Sequence, residues 1–150
     1  MEWERYDLVE SSDGLGYAFY SEGPNGRFRK AIRFRRVPVL GRNVYNLAFG
    51  DYDPTTDRID DKVVSNNGDR EIVLHTVADA VVDFLKKRPL AIILIRGSSK
   101  SRIRLYQIGI SFFWPAIKER YEVLGKCNEI WRPFEKGTNY EEFLVFKKIR

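Results

Sequence analysis

Cysteine and histidine are almost absent from this chain of 150 residues, which holds one of each, Cys127 and His75. A single cysteine excludes an intrachain disulfide, and this pair alone cannot supply a zinc site. We therefore expect no metal, no cofactor and a reducing, cytoplasmic location. A Ser-His-Asp triad would have to use His75, and no nucleophile-elbow motif accompanies it, so a structural histidine is the favoured interpretation.

Long apolar runs are absent too, because Leu90–Ile95 falls far short of the ~20 residues of a membrane-spanning helix. The charged start, Met1–Arg5, lacks the apolar region of a secretion signal. The glycine-lysine pattern of a P-loop is missing. The acidic stretch from Asp51 resembles a calcium loop, but Thr56 and Lys62 stand where an EF-hand needs glycine and glutamate. We interpret it as a turn.

What the chain does contain is 43% hydrophobic and 14% aromatic residues, which is enough for a substantial core. Its length suits a single domain over residues 1–150. The formal net charge is +5 at pH 7, which favours contact with anions.

Hydrophobic periodicity and turn signals predict an α+β fold, a mostly antiparallel β-sheet with two main helices packed on one face. The helices are expected at about 69–87 and 99–110, with a further short helix capped by Ser111. Residues 131–134 are interpreted as a loop. The predicted strands cover residues 5–10, 17–21, 27–35, 43–50, 62–65, 90–95, 121–126 and 140–148.

The first candidate site lies where the apolar strand 90–95 turns into the second helix. A helix start offers backbone N–H groups and a positive dipole to an anion. The alternative is an ordinary serine-capped helix with solvated cations. Lys100 and Arg104 should share a helix face. The candidate anion-binding residues are Arg96, Gly97, Ser98, Ser99, Lys100 and Arg104.

The second candidate is a strand whose arginines alternate with apolar residues and therefore share one face. Guanidinium rows suit the phosphates of nucleic acid, and Tyr17, Phe19 or Tyr20 could stack on bases. Two alternatives stay open: a charge-protected edge strand, or neutralisation by the acidic segment 51–61. The candidate nucleic-acid-binding residues are Arg27, Arg29, Arg33 and Arg35.

Four stretches form a distinctive combination: Asn46–Pro54 (NLAFGDYDP), Asn66–Asp69 (NNGD), Gly97–Tyr106 (GSSKSRIRLY) and Pro133–Tyr140 (PFEKGTNY). Together they resemble a family of uncharacterised bacterial proteins of about this length, mainly from Bacteroidetes-type bacteria. The resemblance implies a free-standing small bacterial protein and carries no known activity.

A partial resemblance concerns the order helix 69–87, strand 90–96, helix 99–110 and strand 121–126. This order is similar to the second half of GCN5-like acyltransferases, which hold the pyrophosphate of coenzyme A at a helix start. The resemblance implies that the turn 97–100 would hold that pyrophosphate.

Three functions follow as expectations. The leading one is a small cytoplasmic binding protein whose basic surface takes a phosphate-bearing ligand such as nucleic acid. One version of it is half of a toxin–antitoxin or defence pair with a small protein partner. The alternative is an acyltransferase-like enzyme. The third is a structural or oligomeric protein whose aromatic C-terminal third supplies an interface.

Overall fold

A computed structural model describes residues 4–60 and 67–149 and confirms the predicted α+β class. The helices are α1 (Arg70–Lys87) and α2 (Lys100–Ile117). The strands are β1 (Val9–Glu10), β2 (Gly16–Gly23), β3 (Gly26–Arg36), β4 (Val44–Asp53), β5 (Arg58–Asp60), β6 (Ile92–Arg96), β7 (Tyr121–Cys127), β8 (Ile130–Pro133) and β9 (Glu142–Lys147).

The strands form one mixed, mostly antiparallel sheet in the order β1-β2-β3-β4-β6-β9-β7-β8, with β5 beside β4. The β2–β3 hairpin predicted from Gly23–Gly26 is confirmed, with Tyr20 opposite Arg29. β4 and β6 are parallel, with Val44 opposite Ile92. A parallel pair needs a long crossover, and α1 lies within the one that connects these strands.

The chain divides into two compact units, and unit 1 takes in the described parts of Met1–Arg35 and Ala48–Phe84. Its core is largely aromatic: the Phe34 ring stacks on Phe84 with centroids 4.0 Å apart, and Phe19 stacks on Phe49. Phe19, Phe34 and Phe84 are almost fully buried. This burial anchors α1 against the strands that carry the arginines.

Unit 2 takes in Arg36–Leu47 and Leu85–Arg150, of which the structure describes residues up to 149. Ile93 and Phe143 are fully buried at its centre. The Trp114 ring of α2 lies 5.2 Å from that of Phe134. Gly125 lies so close to Tyr140 that a Cβ there would fall 2.3 Å from the ring. The single-domain organisation and the packing of both helices on one face stay predictions.

Three boundaries differ from the sequence-based predictions. α2 runs on to Ile117, so the separate helix capped by Ser111 is wrong; Phe113 is buried and its packing extends the helix. Residues 130–133 form β8, an edge strand in which a proline is tolerated. The first strand is confined to Val9–Glu10. The predicted strand 62–65 lies outside the described residues.

Candidate nucleic-acid interface

The predicted arginine row lies on β3 of unit 1, and its alternation follows the pleat of the strand. Ile32 and Phe34 are buried, whereas Arg27, Arg29 and Arg35 are exposed. The period of two places all the odd-numbered arginines on the face opposite the core.

Two tyrosines, the exposed Tyr20 and the half-buried Tyr52, lie beside these arginines. The guanidinium carbon of Arg27 lies 3.9 Å from the ring centroid of Tyr20, and that of Arg29 lies 4.3 Å from the centroid of Tyr52. Tyr20 is 42% exposed. Both distances are within the range of cation–π attraction. We call Tyr20, Arg27, Arg29, Arg33, Arg35 and Tyr52 the tyrosine–arginine face.

Tyr52 is held in place by its own hydroxyl. The hydroxyl donates a hydrogen bond to Asp57 Oδ1 at 2.7 Å. The same hydrogen bond raises the pKa of Tyr52 above its ordinary value, because the carboxylate favours the protonated phenol. The ring therefore has a fixed orientation under the Arg29 guanidinium.

Two carboxylates from the preceding part of the chain, Asp13 and Glu22, neutralise part of this face. Asp13 accepts two hydrogen bonds from Arg33, at 2.5 and 3.1 Å. The Arg33 guanidinium, with the Ser11 hydroxyl and the Leu15 N–H, holds the pKa of Asp13 well below its usual range. Glu22 Oε1 lies 3.4 Å from Arg27 Nε.

The proposed stacking residues lie on opposite faces of β2, the odd-numbered ones towards the core and the even-numbered one towards the surface. Tyr17 and Phe19 are 5% and 1% exposed, so their assignment as stacking residues is wrong. Tyr17 instead donates to Asp83 at 2.5 Å. Tyr20 faces outward, and its role in stacking stays a prediction. Tyr52 was missed because the strand was expected to end at Gly50; the alternation of residues 47–53 was the available signal.

The buried side of β3 carries a cation as well. Lys30 is 7% exposed and forms an ion pair with Asp51 of β4. The acidic segment therefore neutralises a lysine on the core side. Paired charges of this kind are costly to separate, because either charge alone would be desolvated without compensation.

The candidate anion site lies in unit 2, and we call its residues the helix-start cluster: Arg96, Gly97, Ser98, Ser99, Lys100 and Arg104. Ser99 is the N-cap of α2, and its hydroxyl accepts from the Arg102 N–H at 3.2 Å. A Cβ on Gly97 would lie 2.4 Å from the backbone nitrogen of Ile103. The glycine therefore serves a close approach of the chain to its own helix.

The cations of the helix-start cluster are spread along the strand and helix. Arg96 Nε lies 3.1 Å from Glu142 Oε1 on the neighbouring β9. Lys100 and Arg104 are exposed, one helical turn apart, and Ser98 is exposed. This local geometry agrees with the alternative interpretation, an ordinary helix capped by a serine. Anion binding at this cluster stays a prediction.

The other chemistry-bearing residues of the sequence have structural surroundings. His75 is buried, with Nδ1 3.0 Å from the Glu4 carbonyl oxygen. Asp79, one turn further along α1, forms an ion pair with Arg5 at 2.8 Å. Cys127 is half-buried at the end of β7. Within residues 4–60 and 67–149, no three potential metal-ligating side chains are grouped together.

A polar network in unit 1 was not anticipated from the sequence. Asp69 Oδ2 accepts from the Tyr6 hydroxyl at 2.6 Å and from the Ser21 hydroxyl at 2.5 Å. Ser21 is fully buried and also accepts from Asn67 Nδ2 at 3.2 Å. Burial and the hydrogen bond to Asp69 raise the pKa of Tyr6. The network ties the start of α1 to the β2–β3 hairpin.

A cleft of about 450 Å³ lies in unit 2, with Trp114, Tyr121 and Phe134 among its lining residues. Charged side chains, including Lys118 and Glu122, also line it. Desolvation raises the pKa of Tyr121.

Across the described residues, no helix has the length and hydropathy needed to cross a bilayer.

Comparison with known proteins gives a family and no activity. The model of a family of unknown function, DUF6934, matches residues 2–148. Searches of the curated proteins and of the solved structures found no match. The family match spans nearly the whole chain, including both units, so the resemblance to an uncharacterised family is confirmed. The chain belongs to this family of unknown function.

Proposed function

We propose that the chain is a nucleic-acid-binding protein, and that the tyrosine–arginine face takes the phosphate-bearing ligand as a single strand. The observation that carries the proposal is the pair of guanidinium–tyrosine stacks, Arg27 on Tyr20 and Arg29 on Tyr52, on an exposed strand face. Guanidinium groups bind phosphate, and both aromatic rings and guanidinium planes stack on unpaired bases.

The shape of the site favours a single strand over a duplex. The major groove is read by a helix or a two-stranded ribbon that enters it. The tyrosine–arginine face instead belongs to a sheet, with β2 and β4 on either side of β3. Such a face can accept splayed bases whose stacking surfaces are free.

The electrostatics of the face also fit a polyanion. Asp13 and Glu22 neutralise Arg33 and Arg27 in part, while Arg29 lies over an uncharged ring. An ion pair between an arginine and a carboxylate at an exposed position is weak, and a phosphate can compete with the carboxylate for the guanidinium group. Phosphate groups of a bound strand would therefore displace these carboxylates from Arg33 and Arg27.

The test is fluorescence anisotropy with a labelled single-stranded oligonucleotide of about 12 nucleotides, titrated over a range of salt concentrations. The affinity should fall as the salt concentration rises. The slope of the logarithm of the binding constant against the logarithm of the salt concentration should be about −0.7 per phosphate contact. Arg29→Ala should lower the affinity roughly threefold to tenfold. An unlabelled duplex of the same sequence should compete poorly.

Arg70→Ala is the matched control, because it removes the same charge from an exposed residue of α1 in the same unit. It should leave the affinity nearly unchanged. A flat salt response, or an equal effect of the two substitutions, would reject the tyrosine–arginine face as the binding site.

The coenzyme A alternative, the cytoplasmic location and the toxin–antitoxin or defence role stay predictions. A thermal-shift experiment with coenzyme A addresses the first of them. Ligand at 100 times its Kd should stabilise the fold by roughly 2.7 kcal/mol. Gly97→Ala would be uninformative as a control because the added Cβ would collide with Ile103.

A further inference from the structure

The cleft of unit 2 has a wall made of two aromatic rings. Trp114 of α2 is half-buried, Phe134 is 4% exposed, and their ring centroids lie 5.2 Å apart. The Phe134 N–H donates to the Val123 carbonyl oxygen at 2.9 Å, which ties this wall to β7. Small-molecule sites have volumes of about 300–1,000 Å³ and mostly apolar or aromatic linings. The cleft matches both properties.

The hydroxyl of Tyr121 is the polar group of the cleft that lacks a partner. Tyr121 lines the cleft and is only 6% exposed. Within residues 4–60 and 67–149, no group forms a hydrogen bond with this hydroxyl. Buried tyrosine hydroxyls usually have a hydrogen-bond partner. Because Tyr121 lines the cleft, a molecule bound there can supply that partner.

The charged residues that line the cleft balance one another. Lys118 and Lys148 carry two positive charges, and Glu119 and Glu122 carry two negative charges. A cleft lined by charges of one sign concentrates ligands of the opposite sign. This cleft gains no such attraction, so its lining favours a ligand without net charge.

We propose that the cleft binds a small, uncharged heteroaromatic molecule, a planar ring that carries hydrogen-bond acceptors, as a purine nucleoside does. The ring stacks on Trp114, because aromatic pairs gain attraction beyond the area that they bury. A ring nitrogen or carbonyl oxygen accepts a hydrogen bond from the Tyr121 hydroxyl, which is protonated at neutral pH. This site is independent of the proposed nucleic-acid binding, since the tyrosine–arginine face belongs to unit 1.

Two other classes of ligand fit the lining less well. A plain hydrocarbon ring would fill the same volume but leave the Tyr121 hydroxyl without a partner, which costs free energy. A phosphate group would meet Glu119 and Glu122 as well as the lysines. Both comparisons favour the uncharged heteroaromatic ring.

An NMR titration of the isotope-labelled wild-type chain with adenosine tests the site. The indole N–H of Trp114 and the amides of residues 121–123 and 134 should shift as adenosine is added. The indole N–H of Trp131 is the internal control, because Trp131 lies on β8 and is not part of the cleft lining. Ribose alone should shift none of these signals. A titration without shifts, or with shifts centred outside the cleft, would overturn the proposal.

Tyr121→Phe tests the hydroxyl, because it keeps the ring and removes only the donor. This variant should bind adenosine roughly threefold to tenfold more weakly than the wild type. Tyr45→Phe is the matched control, since Tyr45 is half-buried in the same unit and is not part of the cleft lining. It should bind adenosine as the wild type does. Equal affinities of the two variants would refute the role of Tyr121.

Adenosine monophosphate tests the preference for an uncharged ligand. Measured at the amides of the cleft, it should bind no more tightly than adenosine, because the charges of the lining balance. Several-fold tighter binding of the monophosphate at these amides would contradict the proposal. Oligonucleotide binding is measured at the amides of β2 and β3, so a failure at the cleft would leave the proposed nucleic-acid binding unaffected.

Discussion

Lys30 and Arg29 are neighbours in the chain, and the two sides of β3 give them opposite surroundings. Lys30 faces the core of unit 1, is 7% exposed and pairs with Asp51. Arg29 faces the other way, is exposed and lies over the ring of Tyr52. Strand parity, rather than the number of cations, therefore decides which charge supports the fold and which is available to a ligand.

The largest expected effect lies on the buried side. Lys30→Met removes the cation that pairs with the largely buried Asp51 carboxylate, and should lower the free energy of unfolding by about 3 kcal/mol. Urea denaturation measures the loss.

The double substitution with Asp51→Leu should recover most of that stability, because both members of the ion pair are then replaced by apolar side chains. Oligonucleotide affinity, corrected for the folded fraction, should stay at the wild-type value. A Lys30→Met variant as stable as the wild type would show that the ion pair does not support the fold.

Substitutions on the tyrosine–arginine face should change the oligonucleotide affinity rather than the free energy of unfolding. Tyr52→Leu removes a stacking surface and should weaken oligonucleotide binding by roughly 1 kcal/mol, about fivefold, without changing the salt slope. Tyr52→Phe keeps the ring and should bind within about a factor of two of the wild type. Anisotropy measures both variants, and equal losses in the two would argue against stacking.

A smaller effect should follow from releasing Arg33. Asp13→Asn removes the carboxylate that accepts both guanidinium hydrogen bonds and frees the cation for a phosphate. The oligonucleotide affinity should rise about twofold to threefold, and the salt slope should become steeper by up to about 0.7. Glu119→Gln, which removes an exposed carboxylate of unit 2, is the control for net charge. Equal gains from both variants would attribute the effect to net charge alone.

The smallest expected effect is a change of folding stability at acidic pH. The pKa of Asp13 is lower in the folded chain than its ordinary value of about 3.9. Its pair with Arg33 therefore contributes fully above that ordinary value, and the contribution is lost as the pH falls towards the folded pKa. Between pH 7 and pH 5 the difference in stability between wild type and Asp13→Asn should stay constant, and it should shrink in stronger acid. A difference that changes near neutral pH would implicate another group.

Local pattern predicted much of unit 1. The alternation of β3 separated Ile32 and Phe34 from the arginines, and the spacing of apolar residues placed α1 to within one residue of Arg70–Lys87. The same alternation could not tell which parity of β2 faces the core, so Tyr17 and Tyr20 were offered together. Tyr17 is buried against Phe34 of the next strand, and Phe34 in turn stacks on Phe84, which is distant in sequence.

Strand pairing accounts for what the sequence did not reveal. Tyr52 joins the tyrosine–arginine face only because β4 continues past Gly50 beside β3. β8 exists because it pairs with β7, with Trp131 opposite Lys126, although its proline suggested a loop. Glu22 and Asp13 were not anticipated as partners for the arginines.

The most direct test of the tyrosine–arginine face is an NMR titration of the uniformly labelled wild-type chain with a single-stranded oligonucleotide. Chemical-shift changes in the backbone amides should centre on β2, β3 and β4 around Tyr20, Arg29 and Tyr52. Changes centred instead on residues 97–104, or no changes at low salt, would contradict the proposal that this face binds nucleic acid.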